Sequence, residues 1–182
     1  MPHFVIKSLK VGLWLIFPML FTVNKNLNVS ADEPILPEGS YVLKVRGECE
    51  LLLHGTVNFT TATKKTRKGK EYTTFKLALK VGQTTPANSI GFFISENYDS
   101  AKLKEGRYRV SRNIDGFLDR FVGVFGFANI DQYGEVPFFT KNGSIGLYNV
   151  NENLVEGNIN VDFENHLGEN LTIEGDFIAL RK

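Results

Sequence analysis

Between Leu154 and Leu180 apolar and polar residues alternate with a period of two, and this alternation constrains the fold more than any other feature. Val155, Gly157, Ile159, Val161 and Phe163 share one phase; Leu171, Ile173, Gly175, Phe177 and Ala179 share the matching one. Successive side chains of a strand point to opposite faces. The segment therefore predicts a β-hairpin with one apolar face. Its turn falls in ENHLGE (residues 164–169), where Gly168 takes a positive φ without steric penalty. With Phe163 opposite Leu171, Ile159 faces Gly175 and Gly157 faces Phe177, so each glycine leaves room for a large neighbour. A one-residue slip would turn carboxylates to the apolar face, so the register should be well fixed.

The other phase carries Glu156, Asn158, Asn160, Asp162 and Glu164, then Asn170, Thr172, Glu174 and Asp176. In this register Asn160 faces Glu174 and Asn158 faces Asp176, which avoids directly opposed like charges. Glu156, Asp162, Glu174 and Asp176 form a candidate acidic face. Carboxylates two residues apart on one face sit about 7 Å from each other. That spacing suits a glycosidase acid pair, a hard-cation site or contacts to a glycan. The competing expectation is a solvated sheet face, which antiparallel sheets commonly present. It is preferred, because a catalytic acid needs apolar cover to raise its pKa and only Ile178 and Leu180 offer any.

The same period recurs upstream. Cys49, Leu51, Leu53, Gly55, Val57 and Phe59 share a phase that puts the Cys49 thiol in the interior. Phe75, Leu77, Leu79 and Val81 alternate likewise, and TKKTRKGKE between the two strands reads as a hairpin loop. Residues 89–95 (SIGFFIS), 107–110, 119–130 and 143–150 supply further strands, with 119–130 apolar on both faces. No stretch shows helical periodicity. The expected fold is all-β, an antiparallel β-sandwich or partly closed β-barrel of about 8–10 strands. Phe75, Phe121, Phe125, Phe163 and Phe177 are its expected core rings.

The first residues stand apart. Lys7 and Lys10 precede an apolar run, Val11 to Val23, and Val29-Ser30-Ala31 presents small residues at the −3 and −1 positions of a cleavage site. This predicts a signal peptide over residues 1–31, an exported protein of the periplasm or extracellular space, and a single domain over 32–182. The alternative is a retained anchor, although the run is short for a membrane span. Residues 32–182 hold 18 basic and 20 acidic residues, which gives no whole-protein case for nucleic acid. The one cysteine excludes an intrachain disulfide.

Charge is uneven: residues 32–120 carry a net +4 and residues 121–182 a net −6. Lys64, Lys65, Arg67, Lys68 and Lys70 cluster at the hairpin loop, as a candidate site for an anionic ligand or as a solvated tip that discourages aggregation. Arg107, Arg109 and Arg112 are expected to pair with the acidic hairpin. With His54 and His166 the only histidines past residue 31, no metal site is expected. Nucleotide-binding and nucleophile-elbow motifs are absent from the sequence, so no cofactor is expected.

Taken together, the strand Gly143 to Leu147 (GSIGL), the run Val155 to Phe163, the run Leu171 to Phe177 and the stretch Leu103 to Val110 (LKEGRYRV) resemble the exported β-rich domains of unknown function found in Bacteroidota. The resemblance covers about the last 80 residues and implies an envelope protein; it transfers no catalytic residue. The chain lacks the lipobox that such domains often carry. The expected function is an exported, non-enzymatic binding domain of the cell envelope, for a glycan, an envelope protein or a small apolar molecule. The alternatives are a carboxylate-based glycoside hydrolase on the hairpin acids, or a calycin-like carrier of lipids or small molecules.

Overall fold

A computed structural model describes residues 36–65, 71–81, 89–95, 103–111 and 122–182. Residues 1–35, with the expected signal peptide, lie outside the described residues, as do Arg67, Lys68, Lys70, Arg112 and Phe121. The described chain is all-β. Its strands are β1 (Ser40–Arg46), β2 (Glu50–Lys65), β3 (Glu71–Val81), β4 (Ser89–Ser95), β5 (Gly106–Arg109), β6 (Gly123–Asn129), β7 (Phe138–Val150), β8 (Leu154–Glu164) and β9 (Asn170–Arg181). One turn of 3-10 helix, Asp131–Tyr133, precedes β7.

Eight strands form a closed ring, β1-β2-β3-β4-β6-β7-β8-β9, with β9 returning to β1. Apart from the closing β9–β1 pair, neighbours in the ring are also neighbours in sequence, except where β5 intervenes between β4 and β6. Of the two expected architectures the structure is the barrel, and it is closed rather than partly closed because β7 pairs with β8 along most of its length. The other edge of β7 is shared. Phe138 and Phe139 pair with β6, and residues 144–147 pair with β5. Closure matters physically, because it removes the unpaired edges that would recruit other chains.

The hairpin register is the one the alternation predicts: Phe163 opposite Leu171, Ile159 opposite Gly175, Gly157 opposite Phe177. Gly168 has φ +83° in the β8–β9 turn. That turn is organised by buried Asn165, whose Oδ1 accepts from the Leu167 and Glu169 amides at 3.0 Å each. The Phe177 ring lies on Gly157, where a Cβ would stand 2.8 Å from the ring. Gly175 differs from the expectation. Its close neighbour is the Val42 carbonyl of β1 across the ladder, not Ile159.

Odd-phase residues of β1, β2, β3, β8 and β9 point inward. Tyr41, Phe59, Phe75, Phe92, Phe138, Phe163 and Phe177 are all almost fully buried. Phe59 stacks on Phe75 at 5.1 Å, and Phe92 meets Phe163 edge-on at 5.9 Å. The barrel interior is therefore a packed core over most of its length. Phe125 corrects the expected ring set. It alternates with the buried Val124, Gly126 and Ala128, so it lies on the outer face, stacked against Phe139. Cys49 is also a correction. It is exposed, because strand β2 starts at Glu50 and the phase does not extend into the β1–β2 turn.

Candidate functional site

The two ends of the barrel differ. One end carries the β1–β2, β6–β7 and β8–β9 connections. There the Tyr133 hydroxyl donates to the Cys49 carbonyl at 2.5 Å, and its ring sits against Gly47 and edge-on to Phe138. Burial and the Cys49 side chain push the Tyr133 phenol up to about 12.

At the other end, among the described residues, a cavity of about 400 Å³ lies inside the wall between β2, β3, β7, β8 and β9. That volume falls in the lower part of the range of small-molecule sites. Phe59 and Phe75 form its floor, and Thr61, Thr63, Thr73 and Arg181 surround it. Each arrives by strand phase. Thr61 and Thr63 continue the inward phase of Val57 and Phe59, and Thr73 continues that of Phe75 and Leu77. Thr63 pairs directly with Thr73, and Thr61 with Phe75. Arg181 continues the inward phase of Phe177 and Ala179.

Local contacts hold this end in shape. Strand β1 begins only at Ser40, so above it β2 meets β9 directly, in parallel, through Asn58–Leu180 and Phe59–Arg181. The Arg181 amide donates to the Asn153 carbonyl at 2.9 Å, and the Lys182 amide to the Phe59 carbonyl at 3.0 Å. Asn151 Oδ1 accepts from the Asn153 and Leu154 amides and fixes the β7–β8 turn. The Arg181 guanidinium lies 5.8 Å from the Phe59 ring centre, with Nη2 donating to Thr61 Oγ1 at 3.1 Å. Thr73 is 9% exposed and its hydroxyl has no hydrogen-bond partner. An unsatisfied buried hydroxyl costs roughly 1–3 kcal/mol.

The residues singled out from sequence lie elsewhere. Glu156, Asp162, Glu174 and Asp176 occupy the outer face of β8 and β9, with Asp176 exposed and the other three half-buried. Asp162 accepts from the Thr172 hydroxyl at 2.8 Å, and Glu174 pairs with Arg46. Glu174 and Asp176 border only a shallow outer hollow, shared with Leu52, Lys44, Asn158 and Asn160. Asn158 stands opposite Asp176 as expected, and its Oδ1 accepts from the Gly146 amide at 3.2 Å. Nearby Tyr148 has its phenol pushed up by burial and by the Asp176 charge.

Arg107 and Arg109 do not pair with the acidic hairpin as expected. Strand β5 joins β7, and Arg107 Nε donates to Ser144 Oγ at 2.7 Å. The cations that meet hairpin acids are instead Arg46 on β1 and Lys141 on β7, the latter 2.9 Å from Glu164. In the basic loop, Lys64 is exposed at the end of β2, and the Lys65 side chain falls outside the described residues. Among the described residues no cluster of His, Cys, Asp and Glu is arranged to hold a metal ion. Also among them, no helix is long and apolar enough to cross a membrane.

Sequence reasoning missed the mouth residues, although a signal was present. Extending the phase of Val57 and Phe59 two steps reaches Thr61 and Thr63, polar side chains at core-phase positions. Compared with family models, with curated proteins and with solved structures, the chain matches none.

Proposed function

We propose that the protein is an exported binding module that takes a small ligand in the cavity at one end of its barrel. Export rests on the sequence of residues 1–31, with its basic start, apolar run and small residues before position 32. The single observation that carries the binding site is the concave, mixed polar and apolar cavity at one end of an otherwise filled barrel. Small-molecule sites are typically concave, with a few placed polar groups and an apolar floor, and the mouths of barrels are a common place for them.

This reading narrows the alternatives. A carrier that swallows a lipid along its length needs an empty interior, and Phe59, Phe75, Phe92, Phe163 and Phe177 fill that space. A hydrolase on the hairpin acids needs a desolvated cleft, and those acids face outward, with Glu174 and Asp176 on a shallow hollow.

The test is an amide-resolved NMR screen of the full-length chain against a small-molecule fragment library. Binders should shift the amides of Thr61, Thr63, Thr73, Phe75 and Val155. Binders that shift only the outer-face amides of Val42, Leu52, Asn158 and Asp176 would refute it.

A further inference from the structure

The chemistry of the mouth narrows the ligand class, an inference that rests on the mouth being the binding site. Among the described residues, two features there stand out: a guanidinium with no carboxylate beside it and a buried hydroxyl with no hydrogen bond. The first is the Arg181 guanidinium. It is positioned by Thr61 and by the Phe59 ring, and among the described residues no carboxylate lies within ion-pair distance of it. The second is the Thr73 hydroxyl, nine-tenths buried, lining the same cavity and bonded to nothing.

The two are neighbours through the ladder. Thr61 holds the guanidinium, and Thr73 pairs with Thr63, the next inward residue on the same strand. Diagonal positions on an antiparallel pair lie about 7–8 Å apart. Thr61 and Thr73 are therefore close neighbours on one wall of the cavity. The guanidinium offers its N–H groups as a fork, the geometry that suits a carboxylate or sulfate. Thr61 Oγ1 accepts from Arg181 and keeps its own O–H to donate, and the Thr63 and Thr73 hydroxyls stand on the same wall. Val155 and Leu103 leave an apolar wall for the remainder of the molecule. Glu152 borders the cavity on the β7–β8 turn and disfavours a ligand carrying several negative charges.

We propose that the barrel mouth binds a small amphipathic monoanion, its charged head on Arg181 and Thr73 and its short apolar part against Val155 and Leu103. Sodium hexanoate, 1-hexanol and hexylammonium chloride test this by NMR titration of the full-length chain, followed at the mouth amides. A charged hydrogen-bonded contact is roughly twice as strong as a neutral one, so hexanoate should bind at least about tenfold tighter than 1-hexanol. Arg181→Gln should erase that margin, and Thr73→Val should weaken hexanoate several-fold while leaving 1-hexanol unchanged. Arg181→Lys, which keeps the charge but not the fork, should fall between wild type and Arg181→Gln. The same spectra report whether each variant is folded. Equal binding of hexanoate and 1-hexanol at the mouth, or a hexanoate affinity indifferent to Arg181→Gln, would overturn the anion while leaving the mouth as the site. No mouth shift from any of the three would remove both readings.

Discussion

Gly157→Ala should destabilise the protein well beyond what a single methyl normally does. A Cβ at this position would stand 2.2 Å from the Gly146 carbonyl oxygen and 2.8 Å from the Phe177 ring. The first neighbour is backbone of β7, on the ladder that closes the barrel, and cannot retreat without opening it. The second is a ring that is 1% exposed and locked in the core. Overpacking of this kind costs about 1–3 kcal/mol, and with two hard contacts the upper end applies. Replacing glycine also stiffens the unfolded chain, which returns about 0.4–1 kcal/mol. The net loss is therefore about 2 kcal/mol, or a fall in Tm of about 4–8 °C for a domain of this size. Urea unfolding followed by circular dichroism measures it as a lower midpoint at constant slope. Phe177→Leu in the Gly157→Ala background should recover part of the loss, because it relieves the ring contact but not the carbonyl. A Gly157→Ala variant within about 0.5 kcal/mol of wild type would refute both the ring placement and the closed ladder.

Tyr41→Phe removes a buried hydroxyl that has no partner, so stability at neutral pH should hold or rise by up to about 1 kcal/mol, read by urea unfolding. Burial pushes the Tyr41 phenol from 10.0 to about 12, so its folded form favours the protonated state. That contribution is intact below pH 10 and fades as pH rises from 10 towards 12, and Tyr41→Phe should flatten the alkaline unfolding curve there. Asn165→Ala strips the acceptor from two turn amides and should cost about 1–3 kcal/mol, seen as a lower Tm. Glu174→Gln breaks a half-exposed ion pair with Arg46 on the outer wall and should change stability by less than about 1 kcal/mol.

The fold was legible where one face is buried and the other wet. In the C-terminal hairpin the pairing of Phe163 with Leu171 follows from alternation alone, since any slip would bury carboxylates. Ser89–Ser95 was likewise readable as a strand bounded by polar residues. Closure was not readable. It depends on β7 pairing with β8 along one edge and with both β6 and β5 along the other, contacts that no local pattern encodes. Phe125 was misplaced for a related reason. A run apolar on both faces does not say which face turns inward, and the small Gly126 and Ala128 were the true inner set. The Cys49 phase failed because a turn intervened before Glu50.

The site was harder to read than the fold. Clustered charge drew attention to Lys64 and its neighbours and to Glu174 and Asp176, yet charges cluster readily on any wet surface. Thr61, Thr63, Thr73 and Arg181 are ordinary residues individually. Only the curvature of the wall brings three strand ends together around one cavity. The legible hint was a change in kind: polar residues continuing a core phase at the ends of β2, β3 and β9.

The most direct test of a filled barrel with a ligand-binding cavity at one end is the location of a bound molecule by intermolecular nuclear Overhauser effects. The tightest of the hexyl compounds should show contacts from its methyl protons to Val155 and Leu103. Contacts to Val42 and Leu52 on the outer wall, or to Phe163 and Phe177 deep in the core, would contradict the account.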